Sequence, residues 1–250
     1  MIKIQNLHKA FGKNTVLNGI DLHIKEGGRI TAVLGPNGSG KTTLIKSILG
    51  MVIPDAGSIH VQGQAIAGQW QYRAAIDYLP QIAQFPENLT VRELITMIKD
   101  IRQAVPRDEK LIERFGLESY LDERLVNLSG GTKQKVNLTL AFMYDSPLVI
   151  LDEPTSGLDP VAMVRLRALI RQEKQAGKTI MITTHIMSFV EEIADDIVFL
   201  LDGKIYFQGA IQTLKEQQQE TNLERAIASI LDQTPSSLPT QVLASQNHSE

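Results

Sequence analysis

Residues 35–42 read Gly35-Pro36-Asn37-Gly38-Ser39-Gly40-Lys41-Thr42, a match to G-x-x-x-x-G-K-[ST]. No other feature narrows the possible folds as far, because this pattern works only where a strand ends and a helix begins. Its glycines let backbone N–H groups turn inward around phosphate oxygens without Cβ clashes. The helix that follows presents its positive end to the same anion. Lys41 adds a point charge at the β- and γ-phosphates, and the Thr42 hydroxyl is placed to ligate Mg²⁺. The flanks supply the context: 29–34 is a short β-rich run, and 43–49 reads as a helix stopped by Gly50. Without those flanks the segment is a glycine-rich turn. With them it is a phosphate-binding loop, shared by GTPases, kinases and recombinases.

A loop of this kind needs a carboxylate partner, and 148–153 supplies one: an apolar run ending in Asp152-Glu153. A buried parallel strand delivers its last residues to the crevice where ligands bind in open α/β sheets. Asp152 is expected to hold Mg²⁺ and Glu153 to act as general base on the attacking water. The plain alternative is a pair of acids in a solvated loop.

Around these two anchors the chain alternates. Segments 2–7 and 16–24 read as strands, turning at Gly12-Lys13-Asn14, and 57–62 and 74–79 as further strands. From Pro86 to about Tyr144 helical patterning takes over, at 91–101, 108–115 and 130–144, which reads as a helical insertion. Strand and helix then alternate at 148–151, 161–175, 179–184, 187–194 and 197–201, predicting a parallel sheet covered by helices. Short helices are expected at 213–219 and 222–230. The Ser-, Gln-, Thr- and Pro-rich stretch 231–250 reads as a disordered tail.

Composition removes several classes. An apolar fraction of 43% supports a sizeable core, and a formal net charge of −3 gives no global attraction for nucleic acid. Cysteine is absent, excluding disulfides and thiolate metal sites. No stretch approaches the ~18 apolar residues needed to span a bilayer. The first residues alternate like a strand and do not read as a signal peptide.

The segment that discriminates among phosphate-loop proteins is Leu128-Ser129-Gly130-Gly131-Thr132, opening a helix twenty residues ahead of Asp152. With it come Gln81 in Leu79-Pro80-Gln81, Ser156-Gly157-Leu158-Asp159, and His185 after Thr183-Thr184. Taken singly, Ser129 is a helix cap, Gln81 a surface amide and His185 a structural histidine. In this order the set resembles the ATP-binding subunits of ABC transporters, where it appears as Walker A, Q-loop, signature, Walker B, D-loop and switch histidine. The resemblance covers roughly residues 1–220. It implies an ABC ATPase fold: a phosphate-loop α/β core with a mostly parallel sheet, an N-terminal antiparallel β-subdomain and an inserted helical subdomain over about 86–144. The expected domain is 1–230.

The resemblance also implies roles. ATP and Mg²⁺ are the expected cofactors. Phe11 would stack on adenine, unless it is a core side chain of the first hairpin. The nucleotide set is then Phe11, the loop Gly35, Pro36, Asn37, Gly38, Ser39, Gly40, Lys41 and Thr42, and the adjoining Thr43. Thr42, Gln81 and Asp152 are the metal-side residues, and Glu153, His185 and Gln81 the catalytic ones. Ser129, Gly130 and Gly131 would face the γ-phosphate held by a second copy, so that two copies related by a two-fold axis complete two sites. Asp159 would lie at that interface. The expected partners are a second copy and a separate membrane permease, at the cytoplasmic face of the membrane.

Two departures stand out: Thr132 where the family usually has Gln, and Gly157 where many members have Ala. Lys41, Asp152, Glu153 and His185 are all present, so two active sites are expected. The stretch 128–135 looks closest to export-type subunits, and within them to the branch associated with nitrous-oxide-reductase maturation and copper handling. A non-transport ABC ATPase acting on ribosomes or DNA, or a small-molecule kinase, are the competing readings.

Overall fold

The computed structural model describes residues 1–102 and 104–233. A compact unit spans Met1–Ile211 and a second begins at Gln212. The tail expected over 231–250 lies, from 234 onward, outside the described residues.

In the first unit the chain opens with β1 (Ile2–Phe11) and β2 (Asn14–Ile24), an antiparallel pair. They are joined by β4 (Ala56–Val61) and β5 (Gln64–Ala65) into a four-stranded antiparallel sheet of order β2-β1-β4-β5. Alternation places Ile2, Ile4, Leu22, Ile24, Ile59 and Val61 on its buried face.

A second, six-stranded sheet adds β3 (Ile30–Leu34), β6 (Ile76–Leu79), β7 (Leu148–Asp152), β8 (Thr179–Thr183), β9 (Asp196–Leu201) and β10 (Lys204–Ala210), in the order β10-β9-β3-β8-β7-β6. All its pairings are parallel except β9 with β10. Every residue of β3, β7 and β8 is buried, the mark of a sheet covered on both faces. Val33, Leu148, Ile150, Met181 and Val198 pack toward the antiparallel sheet and α1 (Lys41–Ile48). Their neighbours Ile30, Val149, Leu151, Ile180 and Ile182 pack on the opposite face. Each such side chain contributes about 1.5–3 kcal/mol through burial.

That opposite face is covered by α4 (Gly130–Phe142), α5 (Pro160–Gln175) and α6 (Met187–Ile193). Beyond it lies the inserted helical segment, with α2 (Val91–Arg102) and α3 (Asp108–Phe115). Reciprocal bonds between Thr90 and Glu93 start α2: Thr90 N–H donates to Glu93 Oε2 at 2.8 Å and Glu93 N–H to Thr90 Oγ1 at 3.2 Å. The architecture is the α/β phosphate-loop fold expected from the sequence, with its antiparallel subdomain and helical insertion.

Several elements differ in extent from the sequence-based expectation. β1 continues beyond Leu7 to Phe11, because register shifts let an irregular pattern stay paired with β2. Residues Gln71–Ala75 form a 3-10 turn, so β6 begins only at Ile76. β10 was not anticipated. It pairs with β9 through the two-residue turn Asp202-Gly203, both at positive φ (48° and 71°), the Asp-Gly hairpin signal present in the sequence.

The second unit holds α7 (Ile211–Gln218) from its second residue onward, and then α8 (Leu223–Gln233), which Asn222 caps by accepting from Arg225 N–H at 2.8 Å.

Candidate active site

Parallel strands end on one edge of a sheet, and that edge gathers the chemistry here. β3 ends into the glycine-rich loop, β6 into Pro80-Gln81, β7 into Asp152-Glu153, and β8 into Thr184-His185. A cavity of about 480 Å³ is walled by Asn37, Gly38, Gly40, Lys41, Thr42, Thr43, Gln81, Asp152 and Glu153, with Asn14 and Val16 from β2. Loop, glutamine and both acids, distant in sequence, thus share one space.

The loop is held by close packing. A Cβ on Gly35 would lie 2.0 Å from the Leu200 carbonyl oxygen and 2.8 Å from Ser39 Oγ, so only glycine fits beside β9. Ser39 is buried and its Oγ has no protein partner. Pro36 contributes its carbonyl oxygen, which accepts from Lys41 Nζ at 3.0 Å, while Gly35 O accepts at 2.7 Å. An ammonium has three N–H donors, so one remains for a phosphate oxygen. Burial pulls the Lys41 pKa down, and the nearby charges of Glu153 and Asp152 oppose that shift.

Asp152 is buried, and burial raises its carboxyl pKa above the usual range. The Thr183 hydroxyl and the Lys41 and Lys46 charges pull the other way. Thr183 is its cross-strand partner and donates Oγ1–H to Asp152 Oδ1 at 2.5 Å. Next along the chain, Glu153 sits at φ 50°, a left-handed conformation costing a non-glycine residue about 1–3 kcal/mol. Its N–H donates to both the carbonyl oxygen of Thr183 (3.0 Å) and Thr183 Oγ1 (3.1 Å). The bent backbone turns Glu153 into the cavity, where Oε2 lies 3.0 Å from His185 Nδ1.

The remaining expected site residues lie elsewhere. Phe11 is half exposed at the end of β1, with Lys9 Nζ 5.3 Å from its ring centroid. It is not among the walls of the cavity. Nor are Ser129, Gly130 and Gly131, which open α4. Ser129 Oγ accepts from Thr132 N–H at 3.2 Å and is 2.9 Å from Thr132 Oγ1, so the unusual threonine completes the cap. Asp159 caps α5, accepting from Ala162 N–H at 2.8 Å, and pairs with Lys135 at 2.6 Å.

That pair is one of three links between the start of α4 and the segment after Glu153. Gln134 Nε2 donates to Pro154 O at 3.1 Å. A Cβ on Gly131 would lie 2.8 Å from Gly157 O, so the start of α4 and the loop after Glu153 touch through glycine. From sequence, Gln134, Lys135 and Thr183 were assigned no role in the site. Their partners are 20, 24 and 31 residues away, and nothing local marks them.

The donors at the cavity fit a hard divalent cation. A buried carboxylate, a hydroxyl and an amide oxygen are what Mg²⁺ takes when phosphate and water complete its shell. The fold and this cavity together define a nucleoside-triphosphatase of the phosphate-loop class. A family profile described as ABC transporter matches residues 17–156. The lantibiotic transport ATP-binding protein SrtF of Streptococcus pyogenes is 36% identical over 90% of this chain and 94% of its own length. The probable amino-acid import ATP-binding protein YxeO of Bacillus subtilis is 31% identical over 92% of this chain and 97% of its own. A solved ATP-binding subunit of an ABC transporter superposes with a TM-score of 0.86 at 28% identity, covering 92% of this chain and 99% of that one. The chain belongs to the ABC transporter family, as one of its ATP-binding, ATP-hydrolysing subunits. Among the described residues no helix is long and apolar enough to cross a membrane.

Proposed function

We propose that this chain binds Mg-ATP in the cavity beside Lys41, pairs with a second copy around two nucleotides, and passes the closure to a separate permease at the cytoplasmic face of the membrane. The observation that carries this reading is a division of parts. The loop, Gln81, Asp152 and Glu153 wall one cavity, while the exposed helix tip Ser129–Gly130 is not among its walls. The tip carries free N–H donors and the favourable end of the α4 dipole, suited to a terminal phosphate held by another copy.

In this reading the loop N–H groups and the third Lys41 proton hold the β- and γ-phosphate oxygens. Thr42, Gln81 and Asp152 hold Mg²⁺, which neutralises charge on the β- and γ-oxygens when bound. Glu153 accepts a proton from the attacking water. His185 orients the Glu153 carboxylate and contacts the γ-phosphate, and Phe11 stacks on the purine. Asp159 links the two sites through its tie to Lys135. ATP biases the closed dimer only through its greater affinity for that state.

Export is the direction we favour, and the branch associated with nitrous-oxide-reductase maturation and copper handling the placement within it. Both rest on the 128–135 stretch, and the relatives' names include import as well as lantibiotic transport. Glu153→Gln tests the core of the reading: it removes the base and keeps the fold. Size-exclusion chromatography with Mg-ATP should show a stable dimer. A variant that stays monomeric at high protein concentration contradicts the proposal.

A further inference from the structure

We propose that Thr183 is the positioning residue for both acids of the site: one buried hydroxyl aims the metal-side carboxylate and fixes the backbone that presents the general base. The inference rests on the Mg-ATP reading above. Thr183 ends β8 and has no solvent exposure. A hydroxyl has one proton and two lone pairs. An ionised Asp152 can only accept, so the proton goes to Oδ1 at 2.5 Å. A lone pair of the same oxygen then receives the Glu153 N–H at 3.1 Å. The hydroxyl is thereby spent in one direction: it gives to Asp152 and takes from Glu153.

Two consequences follow. With Oδ1 engaged by Thr183, the carboxylate is restrained, and Oδ2 is the oxygen left outside that bond in a side chain that lines the cavity with Thr42 and Gln81. The second concerns Glu153, whose positive φ of 50° persists only where its surroundings over-determine it. Its N–H is gripped by both oxygens of Thr183, carbonyl at 3.0 Å and hydroxyl at 3.1 Å. A valine would keep the size and β-branching suited to a buried strand and lose only the hydroxyl. Asp152 would then turn freely about its terminal torsion.

The test compares the parent Glu153→Gln chain, which does not consume ATP, with the same chain carrying Thr183→Val or Thr183→Ser. Isothermal titration gives ATP affinity at saturating Mg²⁺ and in EDTA. The ratio of the two measures how well the chain holds the cation. Thr183→Val should cut that ratio roughly 10–100-fold, the usual effect of losing a partner behind a metal ligand, with the EDTA affinity unchanged. Thr183→Ser should restore it to within about threefold. An undiminished ratio in the valine variant overturns the proposal. So does an equal loss of affinity in both conditions, which makes the hydroxyl a general support of the loop. Should the valine variant not fold, Thr183→Ala against Thr183→Ser carries the same comparison. A parent that gains nothing from Mg²⁺ overturns the metal reading itself, so the two failures are told apart.

Discussion

His185 Nδ1 lies 3.0 Å from Glu153 Oε2, joining the end of β8 to the residue after β7. The two differ sharply in surroundings, Glu153 being 12% and His185 77% exposed at the side chain. With the carboxylate ionised, Nδ1 is the donor. The other ring nitrogen is then turned away from Glu153 and donates as well only in the protonated ring. The carboxylate thus has an orienting partner, the arrangement expected of a base that must meet one water in one place.

Removing that partner should slow the chemistry and spare binding. His185→Ala is expected to lower kcat about 10²-fold or more, the scale of a lost transition-state contact, with ATP affinity changed less than about threefold. Steady-state kinetics beside equilibrium ATP binding checks the split.

Gly35→Ala should abolish nucleotide binding, because the added methyl meets a backbone oxygen of β9 at 2.0 Å and no rotamer can relieve it. Gly38→Ala meets nothing within 4 Å, and its only local cost is a positive φ of 82°. That strain is about 1–2 kcal/mol. Denaturant unfolding should therefore find Gly38→Ala folded and modestly weakened, and Gly35→Ala far more severely destabilised.

Gln134 is buried and donates its amide to Pro154 O. Gln134→Leu leaves that carbonyl oxygen unpaired, a loss of about 1–3 kcal/mol. A lowered denaturation midpoint with an unchanged m-value is the expected result.

Acid should act on the Lys135–Asp159 pair in a definite direction. The side-chain bond from Lys135, then the Ala162 N–H, hold the Asp159 carboxyl below its ordinary pKa. A carboxylate with a depressed folded pKa contributes stability above its unfolded pKa and loses it as pH falls through the folded one. Asp159 is solvent-exposed, so the effect is small. Lys135→Ala should be less stable than the parent near neutrality, with the difference vanishing at acid pH. Unfolding curves across that range check the sign.

Local chemistry made the centre of this site readable from sequence. A glycine-rich loop between strand and helix, and two acids at the end of an apolar run, carry their own physical requirements. The helical insertion was legible because helical periodicity is a local pattern, and the structure adds local caps to it: Thr90 with Glu93, Ser129 with Thr132. β10 escaped because its residues alternate between half-buried and exposed, although Asp202-Gly203 marked the hairpin. Thr183 escaped for a different reason. In sequence it is one more β-branched residue of a buried strand. Its meaning comes from pairing with Asp152 across the sheet, which no local pattern encodes. The ties from Gln134 and Lys135 to the segment after Glu153 were hidden in the same way.

The shared pocket is tested most directly by complementation between two broken copies. Lys41→Ala disables the loop and keeps the helix tip; Ser129→Arg blocks the tip and keeps the loop. Each alone should lose turnover by about 10²-fold or more. Mixed in equal amounts, random pairing makes half the dimers hybrids, each with one intact loop facing one intact tip. ATPase activity should then return to about a quarter of the unmodified level. Undiminished turnover by the Ser129→Arg chain alone, or no recovery on mixing, would contradict the account.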